Sequence, residues 1–421
     1  MEFGLTCQHY FWKEASIIFF TIGAIVTVPI TSTLADRIGR RPVLLGSLSI
    51  TFVVSILAAL APNFESFLLC RFIIGGASDT YISIVAILTC ELISTHSRAW
   101  ISLVYTLAWA LGMFYVGLLS LFVHEWRWMY MMNSIPSIFF VLYFYWMPES
   151  PHWLVLKKRA KEIKQYIKTS NKWSNCEIDI QKCLDSDSLP TEDEVHQNPK
   201  FSAVFKNATI RKYIVINGFI QFCLALYYFG ISFMSVDLSE NRFTAYMISA
   251  FVEIPGGLMV IPLMMYFGRR EVIGLSLIVQ GVLLAVVPFF SSPVWVPTFF
   301  MLAGKLVNSV AYTIHPIYAS EMMPTSVRSF AFSIINIPQS LGIIIAPLFK
   351  HIGSTSTGTS WVKFVVVGAC CCVGAISLLF LPETKDCMMP SNISDEEDSQ
   401  KICTPKPTKP TTDRLVEQIQ T

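Results

Sequence analysis

Long apolar runs alternate with short polar breaks along most of the chain. A bilayer core takes about 20 apolar residues of helix to cross. Runs of that order lie at 15–35, 43–61, 67–92, 100–123 and 128–147, and again at 213–236, 244–266, 272–290, 294–318, 330–349 and 361–381. The pattern predicts an all-α membrane protein with eleven spanning helices, five before residue 155 and six after residue 212. The segment 155–212 reads as a basic linker. The tail 387–421 is rich in Pro, Thr and Lys, contains Asp395-Glu396-Glu397-Asp398, and has too little apolar content to fold alone.

Charge placement gives the orientation. Arg37, Arg40, Arg41, Arg98, Arg269, Arg270 and Arg328 fall in alternate breaks, and the linker holds twelve Lys or Arg. The positive-inside rule makes that side cytoplasmic. The other breaks, 62–66, 124–127, 237–242 and 353–360, then face outside. Eleven spans put the N-terminus outside and the C-terminus in the cytoplasm. The sequons at Asn207 and Asn392 fall on the cytoplasmic side, so neither is expected to be glycosylated. Lys157, Lys158, Arg159, Lys161 and Lys164 predict a solvated helix face held to anionic lipid.

Composition agrees with a lipid-solvated chain, with 53% of residues apolar and 14% charged. A net charge of +2 gives no reason to expect nucleic acid as a partner. The eleven cysteines lack Cys-x-x-Cys or His-paired spacing, and Cys370, Cys371 and Cys372 lie within an apolar run, so neither a metal nor a cofactor is expected. No short leader with a cleavage site precedes the first run.

The two groups of helices are in register. Arg40-Arg41 recurs as Arg269-Arg270, Glu91 with Arg98 as Glu321 with Arg328, and Pro148-Glu149-Ser150 as Pro382-Glu383-Thr384, at offsets of 229, 230 and 234. Basic breaks alone need no repeat, but three ordered matches predict a parallel duplication, with substrate bound at mid-depth between the halves. The predicted divisions are 1–154, a first repeat of five helices; 155–212, the linker; 213–386, a second repeat of six; and 387–421, the tail. Helix 213–236 has no counterpart after residue 7, so the first repeat is expected to lack its first helix.

Asp36-Arg37-Ile38-Gly39-Arg40-Arg41 resembles the signature loop of the major facilitator superfamily. Pro148 to Leu154 and Pro382 to Lys385 resemble motifs of its sugar and organic-ion branches. Glu2 to Cys7, Leu226 to Gly230, Val252 to Pro255 and Tyr318 to Thr325 with Arg328 resemble the organic cation, anion and carnitine transporters, over residues 2–386 in all. The resemblance implies two six-helix repeats and plasma-membrane transport of small organic ions by alternating access, without catalysis. It also implies a central path lined by helices 67–92, 213–236 and 294–318, and a charge-selecting position at Ser340. The Gln-Gln-Leu-Ser pattern of sugar carriers is not found in 213–236.

Charges near mid-bilayer are costly and mark candidate sites, although a neighbouring helix can neutralise one for structural reasons alone. Asp79, Glu253 and Lys305 lie about 14–18 Å from the outer ends of their runs. Asp79 and Lys305 occupy similar depths in repeat-related helices, so they are expected to pair, leaving Glu253 as the unpaired acid. Lys305, Asn308, Tyr312 and His315 share one helix face, as do Asn217, Gln221 and Tyr228. Tyr227, Tyr228 and Phe229 offer aromatic faces to an amine, with plain packing as the alternative. Asp36, Arg37, Arg40, Arg41, Glu91, Arg98, Glu149, Arg269, Arg270, Glu321, Arg328 and Glu383 are assigned to gating, with no substrate contact. Rival expectations are a sugar-like porter of the same fold and a transport-inactive or regulatory truncated relative. The absent first helix predicts weak transport by these residues alone.

Overall fold

The computed structural model describes residues 12–92, 98–157, 159–173, 207–238, 242–290, 295–323, 328–349 and 361–385. The tail, most of the linker and the segment 353–360 lie outside the described residues, as do Glu2 to Cys7 and the side chains of Arg98 and Arg328.

Every apolar run read from the sequence holds helix. The first group comprises α1 (Trp12–Ile38), α2 (Arg40–Ala59), α3 (Phe64–Leu92), α4 (Arg98–Phe122), α5 (Trp126–Ser134) and α6 (Phe140–Trp146). Two short helices follow, the largely apolar α7 (Pro151–Leu156) and the polar α8 (Ala160–Trp173). The second group comprises α9 (Ala208–Leu238), α10 (Arg242–Tyr266), α11 (Arg269–Val286), α12 (Trp295–Met322), α13 (Arg328–Phe349) and α14 (Val362–Leu378). Among the described residues, eight helices are long and apolar enough to cross a membrane. Helix α14 is shorter, and neither α12 nor the α5–α6 series is one of the eight.

The fifth run, expected as one span, is interrupted. Ile135–Phe139 is a 3₁₀ turn between α5 and α6 with Pro136 in its first positions, because proline has no amide hydrogen to continue the α ladder. At Asn207 the sequon asparagine caps α9, its Oδ1 accepting from the amides of Thr209 at 2.8 Å and Ile210 at 3.3 Å. Helix α8 turns Lys161, Lys164 and Lys168 outward and buries Ile167, and Arg159 lies over the Trp153 ring at 5.1 Å.

Within the first group α1 packs along α3. Gly23, Gly75 and Gly76 bring the backbones so close that a Cβ on Gly23 or Gly75 would strike the opposite carbonyl. Small residues permit such approach where lipid supplies no hydrophobic drive. The second group has the larger core, with Leu224, Leu226, Ile231, Ile273, Leu277, Met301 and Ile314 almost wholly buried. The groups meet along two seams, α4 against α10 and α1 against α13. At the second seam, near the arginine-rich end, Ser333 donates to Ser32 at 2.8 Å.

Candidate functional site

A network of buried polar side chains lies at mid-depth where α9, α10, α12 and α4 converge. Lys305 Nζ is 2.9 Å from Glu253 Oε1 and donates to Ser249 Oγ at 2.6 Å. The Tyr228 hydroxyl donates to the same Glu253 oxygen at 2.6 Å and accepts from Trp109 Nε1 at 3.0 Å. Lys305 Nζ also sits 4.8 Å from the Tyr228 ring centroid. The pair is 0% and 2% exposed, which a charge tolerates only when its partner and further hydrogen bonds replace water.

This corrects the expected pairing. Lys305 joins Glu253, and Asp79 has no hydrogen-bond or ion-pair partner among the described residues. Similar depth did not translate into contact, because the face of α12 that carries Lys305 packs on α10 and not on α3.

The polar stripe of α12 divides among its neighbours instead of facing one space. Asn308 donates to Gln280 on α11 at 2.9 Å, and Tyr312 accepts from Gln339 on α13 at 2.6 Å. His315 is 1% exposed with neither ring nitrogen partnered among the described residues. Gln221 reaches the same group, donating to Gln339 at 2.8 Å, and the Tyr228 and Tyr312 rings are 5.7 Å apart. Three candidates fall outside this arrangement. Asn217 donates to Tyr213 of its own helix, Ser340 donates to Asn336 in the same way, and the fully buried Tyr227 presses its hydroxyl onto Gly304. Trp109, Ser249 and Gln339 were missed. An indole and a hydroxyl within an apolar run carry no signal of their own, whereas the amide of Gln339, beside Pro338, was a signal.

The arginine-rich end is built twice. Glu149 accepts from the amides of Arg40 and Arg41 at 2.9 and 3.2 Å, and Glu383 accepts from those of Arg269 and Arg270 at 2.9 and 3.0 Å. Each carboxylate therefore caps the N-terminus of α2 or α11, where free amides and the helix dipole favour an anion. Arg40 reaches Asp36 at 2.9 Å and Glu91 at 3.3 Å, and Arg269 reaches Glu321 at 3.3 Å. The first arginine of each motif thus meets the acid near the end of α3 or α12. Arg41 donates to the Phe144 carbonyl of α6 and Arg270 to the Leu379 carbonyl just past the end of α14, while Arg37 points outward.

Comparison with known proteins agrees with this architecture. The sugar (and other) transporter family matches residues 9–391. The Caenorhabditis elegans protein B0361.11 is 39% identical over 393 residues, covering 93% of this chain and 67% of that one. The organic cation transporter protein of Drosophila melanogaster is 26% identical over 417 residues, covering 97% of this chain and 75% of the relative. Among solved structures, the E. coli proton:xylose symporter XylE with 6-bromo-6-deoxy-D-glucose superposes with a TM-score of 0.72 at 17% identity, covering 89% of this chain and 87% of that one, a likeness of fold. The paired motifs, the two helix groups and these matches lead to one conclusion: the chain belongs to the sugar (and other) transporter family, with the major facilitator fold, and is a multi-pass membrane protein whose work is transport rather than catalysis.

Proposed function

We propose that the chain carries small organic ions across the plasma membrane by alternating access, with solute held at mid-depth between the two helix groups. The observation that carries this reading is the charged and aromatic network of Glu253, Lys305, Tyr228 and Trp109, in which α4 of one group contributes to a cluster otherwise built by the other. A site shared across the seam changes shape when the groups rock. The organic cation transporter relative favours an ionic solute over a sugar.

The duplicated arginine motifs serve as gates. Their ion pairs hold the arginine-rich end in one arrangement, and we assign that end, the linker and the tail to the cytoplasm on the positive-inside rule. An uptake panel in cells expressing the chain, comparing labelled organic cations, zwitterions, carboxylates and sugars, tests the substrate class. Uptake of ions, weak but saturable, is expected in preference to sugars, and uptake confined to sugars would favour the sugar porter.

A further inference from the structure

A groove opens on the outer surface where α1 meets α13. Pro29, Ile30, Thr33, Leu34 and Arg37 recur at helical spacing along one side of α1, and with Phe330 of α13 they line an open space of about 470 Å³. Ile30 and Leu34 are exposed, and the Thr33 hydroxyl donates to the Pro29 carbonyl at 2.8 Å, so it is occupied within its own helix. Of these six residues only Arg37 is charged. It stands in the last turn of α1, where a long basic side chain reaches up to the headgroup level of a bilayer.

Arg37 is also the motif arginine that the ion pairs of this end do not use. Arg40 and Arg269 meet carboxylates, and Arg41 and Arg270 meet main-chain carbonyls. Arg37 is exposed and has no hydrogen-bond or ion-pair partner among the described residues. The adjacent Asp36 is held 2.9 Å from Arg40. At the repeat offset of 229 the counterpart of Arg37 is Tyr266, so the second copy of the motif works without a cation at this place.

We infer that the groove is a site for one anionic phospholipid of the bilayer, with an acyl chain against Ile30, Leu34 and Phe330 and the phosphate on the Arg37 guanidinium. A guanidinium binds phosphate through charge-assisted, bidentate hydrogen bonds, and an acyl chain fills apolar space that no side chain fills. The site is shared by the two helix groups, since Phe330 belongs to the second and the other residues to the first. It lies alongside the Ser32–Ser333 hydrogen bond, Ser32 being next to Thr33 and Ser333 one turn beyond Phe330. Parting the groups at this seam would draw Phe330 away from Arg37 and dismantle the site, so bound lipid favours the closed seam. This goes beyond the choice of solute, and only the leaflet that supplies the lipid rests on the cytoplasmic assignment above.

The test uses the purified full chain with phosphatidylglycerol, phosphatidylcholine of the same acyl chains, and inorganic phosphate. Lipid kept through detergent is counted by native mass spectrometry, and the melting temperature is followed alongside. The parent is expected to keep one phosphatidylglycerol about fivefold more readily than phosphatidylcholine and to melt higher with it, while inorganic phosphate has neither effect. Arg37→Ala should remove the preference and Arg37→Lys should keep part of it. Leu34→Trp, which fills the groove, should lower retention of both lipids with Arg37 intact. Lys161→Ala takes an equal charge from the exposed face of α8 and should retain lipid as the parent does. For the seam, Ser32→Cys with Ser333→Cys is oxidised mildly in nanodiscs of either lipid. Cross-linking should be faster in phosphatidylglycerol, and adding Arg37→Ala should abolish the difference. Equal retention of the two lipids by the parent, or a loss in Lys161→Ala as large as in Arg37→Ala, would mean non-specific annular lipid only and overturn the site. Equal cross-linking in both lipids would overturn its hold on the seam. None of these readouts depends on uptake, so failure of the uptake panel would overturn the transport reading and leave the lipid site to be judged by its own result.

Discussion

Glu253 and Lys305 show what a buried pair demands of each partner. Removing one side leaves the other charge stranded, a loss of about 3–5 kcal/mol, whereas removing both can be close to neutral. Glu253→Gln and Lys305→Met are therefore each expected to lower the melting temperature of the purified protein, and the double variant to recover most of the loss. A double variant as unstable as the sum of the singles would mean that the two do not interact. The positions of these charges along their helices were legible, since depth follows from counting residues at 1.5 Å each. The partner was not, because it depends on which way α12 is turned and which helix packs there. Ser340 shows the same limit from another side. A resemblance pointed to it, yet its hydroxyl bonds to its own helix.

At the scale of the element, the motif glutamates act through the helix ends they cap. Gly39 has φ of 114°, and a Cβ on it would meet the Glu149 carboxylate, whereas Gly268 is in ordinary extended conformation but equally close to Glu383. Alanine at 268 should therefore disturb the cap only. Alanine at 39 should add the backbone strain, about 1–2 kcal/mol more, read as a larger drop in melting temperature. Glu149→Gln and Glu383→Gln should each lose about 0.5–2 kcal/mol of capping energy. The two effects should add, because the sites lie in separate groups. The duplication was readable from Arg40-Arg41, Glu91 and Pro148-Glu149-Ser150 because these breaks carry polar residues at fixed spacing. The interruption at Ile135–Phe139 was not read, although Pro136 was in view, because an apolar run conceals a backbone that stops donating.

Across the whole molecule, the seam between α1 and α13 holds the arginine-rich end together. The Ser32 and Ser333 hydroxyls are 2.8 Å apart across it, which makes the two positions the natural place to test a cysteine pair. Ser32→Cys with Ser333→Cys should cross-link under mild oxidant, abolish uptake and regain it with reductant, while each single variant keeps transporting. Unimpaired uptake by the cross-linked protein would show that this seam does not open. The polar stripe of α12 has a consequence before any solute is met. As a newly made segment leaves the ribosome, the insertion machinery tests it against lipid, and Lys305, Asn308 and His315 weigh against its entry. The neighbours that satisfy Lys305 and Asn308 lie on α9, α10 and α11, all made earlier. Helix α12 is therefore expected to enter the bilayer only as part of a partly assembled bundle. A glycosylation-reporter fusion of α12 alone should fail to span, and one of α9 through α12 should succeed, so that the order of synthesis is itself a folding instruction.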